Sequence, residues 1–178
     1  MEKLPISIGI LSWHSGQVLV DTLTTYYENG LFDMVNDVTI LFQEVTPQDM
    51  EIARHFGLDF IGLQKNIGIG QAFIRLTENA KEDYVLVLEH DWNLIEDKQT
   101  TYDTLKRSYQ AIEMGMDVGS ACRDLVQRTG VTTLTMFTAA LSVNQETGGD
   151  LIQVLERLST AIRDRLHFVA RQRAATIS

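Results

Sequence analysis

Two carboxylates, Glu89 and Asp91, stand one residue apart just after the apolar run Tyr84-Val85-Leu86-Val87-Leu88. Side chains alternate along a strand, so a backbone that stayed extended through His90 would bring both acids into one mouth. Such a pair suits a hard divalent cation. Mg²⁺ takes oxygen ligands, commonly one or two protein carboxylates, with water and a substrate's phosphates completing the shell. Acid-x-acid is also short enough to recur without function, simply solvating the exit of a buried strand. Other metal chemistry finds less support. His14, His55, His90 and His167 have no metal-ligand spacing among them, and the single cysteine, Cys122, excludes an intramolecular disulfide or a multi-Cys zinc site. Cys122 lies in an apolar helical pattern and reads as a buried, inert thiol.

The elements that must position this pair alternate between strand and helix. Residues 6–11, 38–42, 59–63 and 84–88 are apolar runs of strand length. Between them lie helical patterns: Val18, Leu19, Leu23 and Tyr26 before an Asn29-Gly30 stop; Pro47 to Phe56, with proline in the tolerated first turn; and Ile69 to Ala80. Such alternation predicts an α/β fold, a mostly parallel sheet with right-handed crossovers and flanking helices. Ligands on such sheets bind beyond the carboxyl ends of the strands. There the sequence places Trp13, which could stack a base or close the core, and Gly68-x-Gly70, which could face a ligand or serve a turn.

The chain changes character part-way. Residues 1–105 hold 17 acidic and 6 basic residues, whereas 106–178 hold 7 and 9, and every basic residue after Lys106 is arginine. The pattern also becomes all-helical. Asp117 can cap a helix ending at Gly130, Thr132 or Thr133 the next, and Gly148-Gly149-Asp150 forms a turn and cap before an apolar stripe from Leu151 to Val169. A stripe of that length needs neighbouring helices, which predicts an antiparallel helical bundle. The expected division is 1–105 and 106–178. The hydrophobic fraction of 44%, the charged fraction of 22% and the absence of any long apolar run or secretory leader predict a globular cytoplasmic protein with no membrane span. The net charge of −9 argues against nucleic acid as a partner.

The first part resembles the nucleotide-binding half of a GT-A glycosyltransferase, family 2-like. The resemblance, over about residues 4–105, is carried by Ser12-Trp13-His14 after the first strand, Gln43-Glu44 after the second, the stretch Asn66-Ile67-Gly68-Ile69-Gly70-Gln71-Ala72, and Glu89-His90-Asp91 after the fourth. It implies that Glu89 and Asp91 occupy the position of the family's Asp-x-Asp, which binds Mn²⁺, Mg²⁺ or the donor ribose, and that the ion stabilises charge on the departing nucleoside diphosphate. Ser12 and Glu44 then fall where the family contacts the nucleoside. Asn66 and Gly68 lie on a loop beside the donor, a nucleoside-diphosphate sugar. The chain departs from the family in having Glu for the first Asp and Gln43 where many relatives carry an acid. Inverting relatives also have a catalytic base downstream of the metal motif, and no residue of this chain is nominated for that role.

The second part, from about residue 108, resembles the cytoplasmic helical domain of type II secretion F proteins of the Tad pilus platform kind. Ala111-Ile112-Glu113-Met114-Gly115, Ala121-Cys122-Arg123-Asp124-Leu125, Arg128-Thr129-Gly130-Val131 and Gln145-Glu146-Thr147-Gly148-Gly149-Asp150-Leu151 carry it. Such domains have no catalytic chemistry. The resemblance implies a protein partner, or self-association, through the C-terminal helices. The chain therefore reads as an incomplete GT-A-like half joined to a helical interaction segment, and its function need not follow either parent.

Overall fold

The computed structural model describes residues 1–117, 119–121, 123 and 124. The expected cap at Thr132 or Thr133, the Gly148-Gly149 turn, the Leu151 to Val169 stripe and Cys122 lie outside them. The chain divides into two compact units, Met1–Tyr109 and Gln110–Ser178.

The first unit is a four-stranded, all-parallel sheet: β1 (Leu4–Trp13), β2 (Val35–Gln43), β3 (Asp59–Gly62) and β4 (Tyr84–Glu89). The order is β3-β2-β1-β4. All four strands lie where the apolar runs predict them. β1 and β2 start earlier than expected, because pairing continues to Leu4 opposite Val35. Pro5 has no N–H to give the ladder, and the β1–β2 register shifts between Leu4 and Ser7.

Helices α1 (Gly16–Glu28), α2 (Leu31–Met34), α3 (Pro47–His55) and α4 (Ile69–Asn79) fill the crossovers, and α5 (Lys98–Glu113) follows β4. Thr46 caps α3 in a reciprocal capping box with Asp49, and Pro47 takes the first turn. α1 ends at Asn29, after which Gly30 adopts a left-handed φ of 66° and opens α2, a short helix that the sequence pattern did not reveal. Val18, placed on the apolar face by periodicity, is 49% exposed; Leu19, Thr22, Leu23 and Tyr26 form the buried face.

Strand alternation sorts the core into two layers. Ile6, Ile8 and Ile10 of β1, Ile40 and Phe42 of β2, and Leu86 and Leu88 of β4 face α1, α2, α3 and α5. Leu11, Leu41 and Val87 face α4, packing on Ala72 and Leu76. α5 joins the first layer through buried Tyr102, with Leu105 and Tyr109 against the same cluster. At the amino end of the sheet, the buried Asp37 carboxylate is 2.9 Å from Lys81 Nζ, and Lys81 also reaches Asp59 at 3.0 Å. Burial pushes the Asp37 carboxyl up, but hydrogen bonds from Lys81 and Ser7 outweigh it and hold it below its ordinary range.

α4 sits close on the sheet because β1 carries glycine at the contact. A Cβ at Gly9 would stand 3.0 Å from Leu76 Cβ, tighter than most packed carbons, so Leu76 would have to give way by a few tenths of an ångström. Gly9→Val is therefore expected to lower stability by about 1–3 kcal/mol, the range for overpacking a filled core, read as a lower urea midpoint at unchanged slope. A midpoint equal to that of the parent chain would show that α4 is free to move away.

Candidate functional site

From β1 the chain steps sideways to β2 and then β3, and α4 carries it back across the sheet to β4 on the other edge of β1. The direction reverses between β1 and β4, and in open parallel sheets the crevice beyond the carboxyl ends at such a reversal is where ligands bind. Leu11 of β1 pairs with Glu89, the last residue of β4, so Ser12 and Trp13 at the end of β1 and Glu89 at the end of β4 flank this crevice.

Ser12 is fully buried, and its Oγ lies 2.6 Å from that of Ser15. That contact occupies Ser15, which stands at the start of α1 without capping it by its side chain. At its end, where Trp13 still pairs with Gln43, β1 is also tied to the residue after β2 through side chains. Trp13 Nε1–H donates to Glu44 Oε2 at 2.7 Å, and His14 Nε2 sits 2.8 Å from the same oxygen. Trp13 is 48% exposed, so its indole is held in place while still facing solvent. His14 and Glu44 both have left-handed φ, 46° and 53°. Non-glycine residues there cost on the order of 1–3 kcal/mol each, a strain that clusters at functional sites. Hydrogen bonds from the Trp13 indole and then the His14 ring hold the Glu44 carboxyl below its ordinary range.

The Asn66–Gly68 loop arrives beside this cluster from β3. Buried Gln43 fixes it: its side-chain oxygen accepts from Ile67 N–H at 2.7 Å. Asn66 Oδ1 accepts from Gly68 N–H at 2.8 Å, and Gly68 takes a φ of 81° that favours glycine before opening α4. Gln43 drew notice in the sequence only as a missing acid; in the fold it is an anchor for the loop, a role no spacing rule signals.

The two acids are placed differently from the simple strand argument. β4 ends at Glu89, and a turn follows in which Trp92 N–H donates to Glu89 O at 3.3 Å. The extended backbone through His90 is not present, so the pleat does not bring the carboxylates together. Glu89 alternates in phase with Val87 on the α4 side, whereas Asp91 lies exposed near Tyr26 of α1. Among the described residues no group of three or more His, Cys, Asp or Glu side chains is gathered as a metal would need. The pair thus offers two carboxylates, a number that Mg²⁺-type ions accept when phosphates and water complete the shell. Two surface hollows lie elsewhere, one beside α1 and α3 at Val20, Ile52 and Phe56, the other by Asp37 and Lys81. Neither hollow is lined by the shelf of residues at the carboxyl ends of β1 and β4.

Residues 96–178, a little under half of the chain, match the family model described as type II secretion system (T2SS), protein F. The match reaches back before residue 108 and takes in all of α5. No curated protein matches the chain by sequence. Among solved structures, the mannosyltransferase PcManGT from Pyrobaculum calidifontis, in complex with GDP-Man and Mn²⁺, aligns with 60% of this chain at a TM-score of 0.51 and 13% identity. The sheet unit has a GT-A-like, Rossmann-like fold. TarS from S. aureus aligns with 60% of the chain at a TM-score of 0.49 and 15% identity. This chain spans 32% of the mannosyltransferase's length and 20% of that of TarS. Among the described residues no helix is long and apolar enough to cross a membrane.

The Trp13–Glu44 bond has a titratable signature. A carboxylate stabilised by donors keeps its bond to lower pH than an ordinary glutamate, so the Trp13 indole N–H resonance is expected to titrate with a midpoint below that of an ordinary glutamate. Assignment through Trp13→Phe separates it from Trp92. A midpoint at or above the ordinary value would contradict the observed pairing.

Proposed function

We propose that the sheet unit binds a nucleoside-diphosphate sugar on the shelf between β1 and β4, with a divalent cation, Mn²⁺ or Mg²⁺, carried by Asp91 and Glu89. The observation that supports this reading is convergence. Three segments far apart in sequence, 12–16, 66–70 and 89–92, border the carboxyl edge of the sheet near the point where its direction reverses. Each residue proposed for the site, Ser12, Glu44, Asn66, Gly68, Glu89 and Asp91, belongs to one of these segments or to the end of β2 beside them. The mannosyltransferase that shares the fold was solved with GDP-Man and Mn²⁺, the ligand classes this reading assigns here.

In this reading Trp13, held by Glu44, offers an indole face for a base, while the buried Gln43 anchor keeps the Asn66–Gly68 loop beside the donor. Asp91 and Glu89 supply carboxylate oxygens to the ion, whose positive charge offsets that of the diphosphate. Glycosyl transfer would need an acceptor site and a base as well, and the proposal stops at donor binding.

A second reading draws on a separate observation, the family match over residues 96–178. In it, the helical part is a noncatalytic interaction module of a type II secretion or Tad-type platform. It binds a protein partner or a second copy through the Leu151 to Val169 stripe, and the site of action is cytoplasmic.

Calorimetric titration of the full chain with UDP and GDP, each with and without Mn²⁺, separates the two. The first reading predicts Mn²⁺-dependent binding that Glu89→Ala and Asp91→Ala each weaken by at least roughly 10-fold, as loss of a charged ligand entails. Unchanged affinity in both variants would remove the metal role. No binding by a folded chain would favour the interaction module.

A further inference from the structure

The segment that leaves β4 is tied along its length to one face of α1. Tyr26 O–H donates to Trp92 O at 2.6 Å, Thr22 Oγ1 donates to Asn93 Oδ1 at 2.9 Å, and Thr25 Oγ1 accepts from Leu94 N–H at 2.9 Å. Asn29 Nδ2 adds a longer contact to Leu94 O at 3.4 Å. These four side chains fall at i, i+3, i+4 and i+7 of the helix, the spacing of a single face. The face holds polar groups where a core-facing stripe would be apolar, and residues 92–94 supply the backbone and amide groups that satisfy them. Thr22 and Tyr26 are buried, so leaving them without partners would be costly.

Trp92 is the critical member. Its N–H is bonded to Glu89 O and its carbonyl to Tyr26, so the turn carrying Asp91 is fixed at both ends. One end is Glu89, locked by its ladder position opposite Leu11; the other is a buried phenol on α1. We propose that Tyr26 is a positioning residue: by latching Trp92 to α1 it holds the Glu89–Trp92 turn and so sets the Asp91 carboxylate at the mouth of the β1/β4 crevice. Burial, and after it the nearby Asp91 charge, pushes the Tyr26 hydroxyl up and keeps it a donor. Tyr26 touches no ligand in this account and acts through Asp91. The inference rests on the donor-site reading above for its consequence, though not for the latch itself.

Tyr26→Phe tests it, because the ring keeps its edge contact with Phe32, centroids 6.2 Å apart, and loses only the donor. Two readouts on the full chain are needed. Amide exchange at Trp92 and Leu94 reports the latch without any ligand. Titration with GDP or UDP, with and without Mn²⁺, reports its consequence. The expected result is faster exchange at both amides and a roughly 10-fold smaller gain in affinity on adding Mn²⁺, with metal-free affinity unchanged. A purely structural role would shift both affinities together and leave that gain intact. Unchanged exchange, or a full Mn²⁺ gain, overturns the proposal. Should the parent chain show no Mn²⁺ gain, the donor-site reading fails, while faster exchange in the variant still upholds the latch and unchanged exchange overturns it. Thr25→Val is the companion variant that stays informative if Tyr26→Phe does not fold: it removes the acceptor of Leu94 N–H but leaves the Tyr26–Trp92 bond, so it is expected to speed exchange at Leu94 and not at Trp92 and to keep the full Mn²⁺ gain, whereas faster Trp92 exchange with a lost gain would overturn the assignment to Tyr26.

Discussion

Strand β1 is hydrogen-bonded on both edges and covered on both faces, and that double constraint orders the sheet unit. Its residues from Ile6 to Ser12 are all buried. The even positions meet α1 and its neighbours while Gly9 and Leu11 meet α4, so a one-residue slip would exchange the two cores. With β2 on one side and β4 on the other, the chain must reverse direction across β1. The crevice that results is a consequence of pairing. Where β1 leaves the sheet, Ser12 and Trp13, still in the ladder, and His14 just past it are also held by side-chain contacts with Ser15 and Glu44.

That division explains what could be read from the residues and what could not. The strands were legible because runs such as Val38 to Phe42 and Tyr84 to Leu88 have the apolar continuity that burial on both faces demands. α3 was legible because Thr46, Pro47 and Asp49 write its start in side-chain chemistry. α2 was not, since four residues are too few to show a helical period. α5 escaped for another reason: Tyr102, Leu105 and Tyr109 form its apolar face among charged neighbours, and their partners lie in a core assembled from distant segments. Glu89 and Asp91 stood out by their spacing after a buried strand, whereas Ser12, Glu44, Asn66 and Gly68 were nominated only through a resemblance to a family. Gln43 and Tyr26 act through hydrogen bonds to the backbone of residues 24 and 66 positions away, which no local spacing encodes. The placement of Asp91 was not legible either, because the pleat argument holds only for a backbone that stays extended through His90, and a turn interrupts it there.

The family match begins at residue 96, yet α5 packs against the sheet unit as far as Tyr109. Sequence likeness and packing therefore draw the boundary at different places, and the change from lysine to arginine after Lys106 falls between them. An amphipathic helix needs only an apolar surface of the right width, so α5 can share a sequence pattern with one family while it closes the core of another fold.

In the proposed function, the shelf between β1 and β4 takes a nucleoside diphosphate and a divalent ion. Amide chemical-shift mapping with GDP and UDP in Mg²⁺, repeated with a trace of Mn²⁺ for paramagnetic broadening, tests it most directly. The account predicts shifts confined to residues 12–16, 43–44, 66–70 and 89–92, with broadening centred on Glu89 to Asp91. Shifts centred instead on the hollow beside α3, or broadening away from residues 89–91 in a folded chain, would contradict it.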